Sequence, residues 1–395
     1  MKRRHAFSLA LGGLIAAPGC REAESSAEIP PPESPAPPPP AGPAPKPVAL
    51  EGSDLAPVQI DPKLEIRTVT GLRPFRPTGF VVRREERGPK TIIHNYGHGG
   101  GGMSLSWGTS HQAVRLAGPL AGAQCAVIGG GVMGLSTARL LQLEGAKVAL
   151  YTRDLPPETT SNIAGAQWWP VSVFNWNERT EEFGAQFVEA ANFANRYFQN
   201  LVGPRWGIRW IPNYYLSQGP PANGWMSGPG GTLHHLQVGF QDFGPGEHIF
   251  PAPHVRRFYT MLIEPATYLA RLLGDVQEAG AEIEIRHFST AEEILRLPQG
   301  TIFNCSGLGT RDLFGDEELI PVKGQLSVLL PQQEVNYNLI SDLFYMFPRT
   351  DGIVLGGTYD RGRWDLAPDD TDRQRVLEGH RAIFAQMAEN LRPFR

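Results

Sequence analysis

One stretch, Gln124 to Glu144, constrains the fold more than any other part of the chain. It begins with an apolar strand pattern, continues through glycines in the spacing GxGxxG, and ends in leucines at helical spacing. In such a turn the first glycine permits a tight bend, the second lets backbone approach a pyrophosphate, and the third lets helix pack on strand. The helix N-terminus then offers unpaired N–H groups to the phosphates. The stretch predicts a dinucleotide site at Gly129, Gly131 and Gly134.

A second strand pattern, Lys147 to Thr152, follows at the distance expected of a strand–helix–strand unit. It leads into Arg153 and Asp154, and Asp154 lies 20 residues after Gly134. An acidic residue at this spacing holds the adenosine ribose in dinucleotide-binding folds. NAD and FAD share this fingerprint, so it leaves the choice of cofactor open. The competing interpretation is a glycine turn in an ordinary α/β core.

Length and charge narrow the class of protein further. The 395 residues are enough for two domains, and 36 basic residues stand against 40 acidic ones. Because no basic block follows the first four residues, we expect no nucleic-acid partner. Beyond residue 20 no apolar run reaches the ~18 residues of a membrane span.

The first twenty residues have the pattern of a targeting signal. Lys2, Arg3 and Arg4 precede an apolar run from 6 to 17, and Cys20 follows. The paired arginines resemble a twin-arginine export signal, and residues 17–20 resemble a lipobox with two unusual residues. This pattern predicts an exported, periplasmic or membrane-anchored lipoprotein, lipidated at Cys20. The alternative is an uncleaved start of a cytoplasmic protein.

A proline-rich segment separates this start from the rest of the chain. Residues 30–47 contain 11 prolines and no periodic apolar pattern, which is typical of an extended spacer. We therefore expect residues 21–57 to be a disordered tether, with folded structure beginning near residue 58. Of the three cysteines, Cys125 and Cys305 lie in apolar strand patterns and are expected to be small buried thiols. No disulfide or metal-ligand spacing is present.

A second glycine-rich loop precedes the first. The sequence IIHNYGHGGGGMSLSWG predicts a strand at 91–96, a loop at 97–102 and a helix to about residue 116. Five glycines in six positions let backbone approach a flat or charged ligand, and the next helix N-terminus can face negative charge. A flexible linker is the alternative, but the apolar residues on both sides favour ligand contact.

This loop resembles the signature of the D-amino-acid oxidase family of flavoenzymes, with Ser110 in place of an expected alanine. Further stretches similar to that family are RDLPPETTSNIAGAQWWP (153–170), IFNCSGLG (302–309), PVKGQL (321–326), YMFP (345–348) and GGTYDRGRWDL (356–366). In the family, GLRP and the HNYGHGG signature come last, after GGTY. Here they come before the GxGxxG strand, so the resemblance predicts a circular permutation.

The resemblance implies an α/β fold with a Rossmann-like FAD-binding domain and a second, largely antiparallel substrate-binding sheet domain. We expect the FAD-binding domain at 89–170 and 251–318. The substrate domain is expected at 171–250 and 319–395, together with a permuted strand segment at 58–88.

The resemblance also implies the site residues. Arg73 of GLRP would bind the substrate α-carboxylate with a guanidinium fork, which suits a carboxylate. Tyr345 and Tyr359 would add hydroxyls, and the Gly100 carbonyl would receive the substrate amine. Without the resemblance, the arginine could be a surface charge and the tyrosines core residues. The predicted FAD contacts, beyond the three glycines, Arg153 and Asp154, are Thr159, Thr160, Ser161, Gly165, Ala166, Gln167, Gly99, Gly102, Met103 and Ser104.

The implied activity is an FAD-dependent oxidase that converts a D-amino acid to the imino acid and reduces O2 to hydrogen peroxide. A neutral substrate is expected because Tyr359 stands where family members with acidic substrates carry arginine. The alternatives are a related glycine or amine oxidase, and a tethered flavoprotein that binds ligand without turnover.

The motif LRPFR occurs twice, at 72–76 and at 391–395, so either Arg73 or Arg392 could bind the carboxylate. The first copy alone continues into a strand and the HNYGHGG loop, which favours Arg73. The permutation predicts that Arg73 meets Tyr345 and Tyr359 beside Gly100. It also predicts that the last helix ends close to Leu64.

Overall fold

The computed structural model describes residues 50–165, 167–342 and 344–394, and every structural statement below concerns these residues. The predicted export signal, Cys20 and most of the tether lie outside them. Ala166, a predicted FAD contact, also lies outside the described residues.

The strands are numbered in chain order. They are β1 (Glu65–Phe75), β2 (Val81–Arg87), β3 (Lys90–Tyr96), β4 (Gln124–Ile128), β5 (Lys147–Thr152), β6 (Ile208–Ser217), β7 (Val238–Phe243), β8 (His254–Ile263), β9 (Glu282–Ile285), β10 (Thr301–Asn304), β11 (Ile320–Leu329), β12 (Asn338–Ser341), β13 (Phe344–Arg349), β14 (Gly352–Gly356) and β15 (Asp360–Arg361).

The helices are α1 (Gly102–Arg115), α2 (Val132–Leu143), α3 (Glu181–Asn200), α4 (Pro265–Glu278), α5 (Ala291–Leu295), α6 (Thr310–Phe314) and α7 (Asp370–Leu391). In the described part of the chain, none of them combines the length and hydropathy that a membrane crossing requires.

The first sheet has six strands in the order β2-β3-β10-β4-β5-β9. Strands β10, β4, β5 and β9 run parallel to their neighbours, and β2 is an antiparallel edge strand on β3. Val127 of β4, Leu135 of α2 and Leu150 of β5 are fully buried in one apolar cluster. This burial holds helix α2 across two parallel strands, as a Rossmann-like unit requires.

The second sheet has nine strands, with β1-β11-β14-β13-β12-β6-β8-β7 in order and β15 beside β11. Its pairings are antiparallel except for β12 with β6. Side chains alternate along a strand, so Met346 packs on the face of the sheet that α7 covers. Tyr345 and Phe347 pack on the opposite face. Arg73 lies four residues after Val69, which belongs to that same opposite face.

The long helix α3 illustrates why the sequence forms these elements. The Thr180 hydroxyl accepts the Phe183 N–H at 3.1 Å and caps the helix, and two glutamates in the first turn suit its positive end. Its apolar stripe, including Phe187 and Phe198, is completely buried. The buried face of α3 is therefore part of the apolar core, and we assign the helix a structural role rather than a catalytic one.

Sheet membership differs from the expected domain boundaries at two places. Strand β2, expected in the substrate domain, pairs with β3 in the six-stranded sheet. Strand β8, expected in the FAD-binding domain, pairs with β6 along its whole length in the nine-stranded sheet. Gly79, with a φ of 99°, turns the chain between β1 and β2 and so moves it from one sheet to the other.

Residues 50–57 were expected to belong to the tether, and this was wrong. The Glu51 carboxylate accepts hydrogen bonds from the Tyr214 hydroxyl at 2.8 Å and from Arg257 at 2.7 Å. The Tyr337 hydroxyl donates to the Ala56 carbonyl at 2.8 Å. Ordered structure therefore begins before residue 58, because long-range polar contacts hold a segment that has no periodic pattern.

The last helix also ends elsewhere than expected. Its first turn lies beside Glu65, which binds Arg373 at 2.7 Å. Near its end, Asn390 donates to the Ile249 carbonyl at 2.9 Å, and the Ile249 N–H donates to the Glu51 carbonyl. The helix therefore ends near Glu51 rather than Leu64, because residues 51–64 return along its length.

Candidate active site

The glycine turn after β4 is packed as tightly as its sequence predicts. Gly129 has a φ of 112°, which favours glycine. A Cβ on Gly134 would lie 1.8 Å from the Gly129 carbonyl oxygen, so any side chain there would push α2 off the turn. A Cβ on Gly131 would meet only the Ser161 hydroxyl, at 3.2 Å. The turn is thus closed on the helix side and open above Gly131.

The open side fits a pyrophosphate. The first amide of α2, on Val132, donates to the Ser161 hydroxyl oxygen at 3.0 Å, so this N–H already faces an oxygen acceptor. Ser161 lies in a short 3-10 turn at 160–163, and the Thr159 hydroxyl before it donates to Asn162 at 2.8 Å. Thr160 is exposed beside them. Amides at a helix N-terminus together with these hydroxyls can hold phosphate oxygens.

Asp154, the residue predicted to bind the adenosine ribose, lies beside the glycine turn. A Cβ on Gly130 would be 2.7 Å from the Asp154 carbonyl, so the end of β5 touches the glycine turn. The Asp154 carboxylate pairs with the largely exposed Arg153 at 2.7 Å. Both side chains are at least partly exposed beside the glycine turn.

The second glycine loop packs against residues 171–173. Gly99 has a φ of 54°, and a Cβ there would lie 2.3 Å from the Ser172 carbonyl oxygen and 3.0 Å from Phe75. The Gly100 N–H donates to that same carbonyl at 2.9 Å. Ser172 itself has a φ of 56°, which is uncommon for a residue with a side chain, and such strained residues cluster at functional sites. The loop is thereby fixed beside β1.

Helix α1 starts directly from this loop at Gly102. Met103 and Ser104 are buried, and the Ser104 hydroxyl donates to the Gly101 carbonyl at 3.1 Å. Their side chains therefore stabilise the turn, and it is the backbone and the helix N-terminus that can face a ligand. A helix N-terminus favours negative charge on such a ligand.

His98 anchors the loop as a neutral side chain. It stacks on Phe80 and lies 2.9 Å from the Thr109 hydroxyl. Complete burial lowers its pKa to about 3, because the charged imidazolium would lose its hydration. His98 therefore carries no charge near neutral pH.

Arg73 and Tyr345 meet across the sheet. An Arg73 guanidinium nitrogen lies 3.4 Å from the Tyr345 hydroxyl, and another lies 3.5 Å from the Thr358 carbonyl. Tyr359, the next residue, has its ring centre 5.9 Å from the Arg73 Cζ and is partly exposed. These three predicted residues are therefore brought together from β1, β13 and the segment after β14.

Two glycines make room for these side chains. A Cβ on Gly324 would lie 2.5 Å from the Arg73 guanidinium nitrogens. A Cβ on Gly356 would lie 2.0 Å from the Tyr345 ring. Neighbouring strands therefore carry no side chain where the guanidinium and the phenol lie, which fixes both groups against backbone.

Arg392 lies elsewhere. Its side chain is 75% exposed and pairs with Glu389 one turn earlier in α7, at 2.7 Å. The second copy of LRPFR thus continues from the last helix and does not approach Arg73.

The structure adds residues that the sequence analysis missed. Gln167, a predicted FAD contact, donates to the Tyr215 hydroxyl at 3.2 Å and accepts from Asn338 at 3.5 Å. Burial is the main cause that raises the pKa of Tyr215 to about 12. Gly165 touches Phe347, on which Tyr345 stacks. The alternation of polar residues in PNYYLS, on a strand, was the one available signal.

The chain is similar to several known proteins. The family model described as FAD dependent oxidoreductase (DAO) matches residues 124–394. A D-amino-acid oxidase of Rubrobacter xylanophilus is 31% identical over 262 residues, 65% of this chain and 75% of that protein. The human D-aspartate oxidase is 27% identical over 287 residues, 69% of this chain and 82% of that protein. A glycine oxidase structure from Bacillus cereus covers 68% of this chain and 79% of its own, at 16% identity and a TM-score of 0.48.

The chain therefore belongs to the D-amino-acid oxidase (DAO) family of FAD-dependent oxidoreductases. Its cofactor is FAD, and the open face above Gly131 and the N-terminus of α2 fit the pyrophosphate of that cofactor.

Proposed function

We propose that this protein oxidises a neutral D-amino acid to the imino acid and passes the electrons to O2, forming hydrogen peroxide. The observation that carries the proposal is the meeting of Arg73 with the Tyr345 hydroxyl, 3.4 Å apart, on the sheet face beside the glycine loop. A guanidinium fork with an adjacent hydroxyl is suited to a carboxylate.

The residues divide the work of holding the substrate. Arg73 and Tyr345 bind the α-carboxylate, and the Gly100 carbonyl accepts a hydrogen bond from the α-amine. Bound FAD supplies the two-electron acceptor for the α C–H bond. The chain itself contributes orientation, since two fixed contacts leave the α-carbon little freedom. The imino acid then hydrolyses in water to the 2-oxo acid and ammonia.

The neutral substrate is proposed from Tyr359. Its partly exposed ring lies beside Arg73, at the position where the family resemblance would place an arginine in an enzyme for acidic substrates. A phenol can donate one hydrogen bond but adds no charge.

A peroxide assay over matched D- and L-amino acids, run beside an absorbance spectrum of the bound flavin, tests the proposal. We expect a flavin spectrum, peroxide with neutral D-amino acids and none with their L-enantiomers. Preferred turnover of D-aspartate would contradict the neutral class, and turnover of glycine or a secondary amine alone would favour the related oxidases. A flavin spectrum that no amino acid reduces under anaerobic conditions would favour the binding protein without turnover.

We also propose that the chain is a circular permutation and is exported, with Cys20 as an anchor. The match to the family model begins at Gln124, the first residue of β4, although the HNYGHGG loop precedes it. The end of α7 and Glu51 both contact Ile249, so the chain could be joined there. A gene that encodes 124–394 followed by 50–118 should give an active flavoprotein. Fractionation of the native host would locate the full chain.

A further inference from the structure

A cavity of about 560 Å³ adjoins the proposed substrate site. Ser172 and Tyr359 are part of its lining. Ser172 is the residue whose carbonyl holds the Gly100 N–H, and Tyr359 lies against Arg73. The cavity therefore lies next to both groups that would hold the substrate carboxylate and amine.

An amino acid held at these two points has two substituents left on its α-carbon. The hydrogen must face the flavin if it is to be removed, so the side chain is the group that can enter the cavity. A methyl group would fill little of this volume, whereas an indole or phenol would fill much more.

The cavity wall contains three aromatic side chains together with aliphatic and polar ones. Phe174 and Trp176 contact each other edge to face, with ring centres 4.9 Å apart, and Met226 completes this side. Trp176 is 59% exposed although it belongs to this cluster. Exposed aromatic surface inside a concavity favours a ligand that removes it from water. A planar apolar side chain meets this requirement and a small or charged one does not.

Arg361 forms the opposite part of the lining. Its Cζ lies 4.7 Å from the Phe75 ring centre and 5.5 Å from that of Tyr359. One guanidinium nitrogen donates to the Asn175 side-chain oxygen at 2.9 Å, which links the two sides of the cavity. A guanidinium held close to aromatic rings in this way can also attract the face of a further aromatic group.

We infer that this cavity is the side-chain subsite and that it selects D-amino acids with large aromatic side chains. Trp176 and Arg361 determine the specificity. The inference rests on the proposed function, since it uses the substrate position set by Arg73 and Gly100.

The test compares D-tryptophan, D-alanine and D-glutamate as substrates of the flavin-loaded protein. We expect kcat/KM for D-tryptophan to exceed that for D-alanine by at least about tenfold, the size of effect that hydrophobic pockets achieve. Trp176→Ala should lower kcat/KM for D-tryptophan by about tenfold, as expected for a lost aromatic contact, and change that for D-alanine less than about twofold. Arg361→Met should lower the value for D-tryptophan and leave that for D-glutamate low.

Trp364→Ala is the matched control, because Trp364 is similarly exposed at 52% but does not line the cavity. It should leave all three substrates unchanged, and bound flavin reports folding of every variant. Equal rates for D-alanine and D-tryptophan would overturn the inference while keeping the proposed function. The inference would also be overturned if the parent protein preferred D-glutamate and Arg361→Met lost that preference. Arg361 would then bind the side-chain carboxylate of an acidic substrate.

If no D-amino acid is turned over, the proposed function fails, and binding still decides the inference. Titration with D-tryptophan and D-alanine, followed by the visible absorbance of the flavin, then gives the two affinities. Tighter binding of D-tryptophan that Trp176→Ala abolishes supports the subsite, and equal affinities refute it.

Discussion

The two sides of the site are built in opposite ways. The cofactor side takes its glycine turn, helix and acid from one stretch, residues 124–154, in which β4, α2 and β5 follow one another. The substrate side joins Arg73 of β1, Tyr345 of β13 and Tyr359, which are more than 270 residues apart at the extremes. One side depends on local spacing and the other on strand register across a nine-stranded sheet. This difference decides which mutations affect which half.

The largest effect is expected at the cofactor side, from Gly131→Val. The site has space there in the protein alone, so the variant should fold, but the branched side chain occupies the approach of the pyrophosphate. We expect complete loss of bound flavin with an unchanged circular dichroism spectrum. Gly300→Val, exposed in open space and without a positive φ, is the control for replacing a glycine by valine outside the site. Normal flavin content in a folded Gly131→Val protein would refute the cofactor assignment.

A smaller effect is expected at the substrate side, from Tyr345→Phe. The change removes one hydrogen-bonding hydroxyl beside Arg73 and keeps the ring that stacks on Phe347. A single such bond to a charged group contributes roughly 1.5–3 kcal/mol, so KM should rise by about tenfold or more while flavin affinity stays constant. Tyr259→Phe, on an exposed position of β8, serves as the control. A fall in flavin content without a change in KM would place Tyr345 on the cofactor side instead.

The sheet register that supports the substrate side should also be sensitive to acid. His380 of α7 lies 3.1 Å from the Tyr345 carbonyl, and burial lowers its pKa to about 4. The unfolded chain would bind a proton below pH 6.5, whereas the folded one resists it. The stabilisation is therefore complete above pH 6.5 and is lost as pH falls toward 4.

Each such histidine contributes a slope of about 1.4 kcal/mol per pH unit, and His98 adds a second one on the loop. Denaturant unfolding at pH 7, 6 and 5 measures this slope. His380→Gln should be less stable at pH 7, and its free energy of unfolding should depend less steeply on pH, by the contribution of one histidine. An unchanged slope would mean that His380 is charged or exposed.

What the sequence could predict follows the same division. The strand, turn and helix around Gly131 were predictable because each depends on neighbours within about 30 residues. The tight contact of Gly134 with the Gly129 carbonyl explains why the motif requires a glycine at that spacing. Tyr345 and Arg73 became candidates through family resemblance, since nothing local distinguishes a binding tyrosine on a strand from a core one.

Residues that neither a local sequence pattern nor the family resemblance identifies were missed. Tyr215 and Asn338 orient Gln167 through contacts across two strands, and the polar alternation of PNYYLS around Tyr215 is too weak a signal to identify either residue. The ordered segment that begins at residue 50 was missed for the same reason, because Glu51 is held by side chains more than 160 residues away. The edge strand β2 was misplaced because its pairing depends on the turn at Gly79.

The most direct test of the account compares Arg73→Lys with Arg392→Lys, the same change in two copies of one motif. Each protein is mixed anaerobically with a D-amino acid, and loss of the oxidised flavin absorbance is followed against substrate concentration. Lysine keeps the charge at residue 73 but loses the fork, which should weaken substrate capture by ~1.5–3 kcal/mol, about 10- to 150-fold in half-saturating concentration. Arg392→Lys, exposed and paired with Glu389, should behave as the parent. An unchanged half-saturating concentration in Arg73→Lys, with a large rise in Arg392→Lys, would contradict the proposed substrate side and the permutation together.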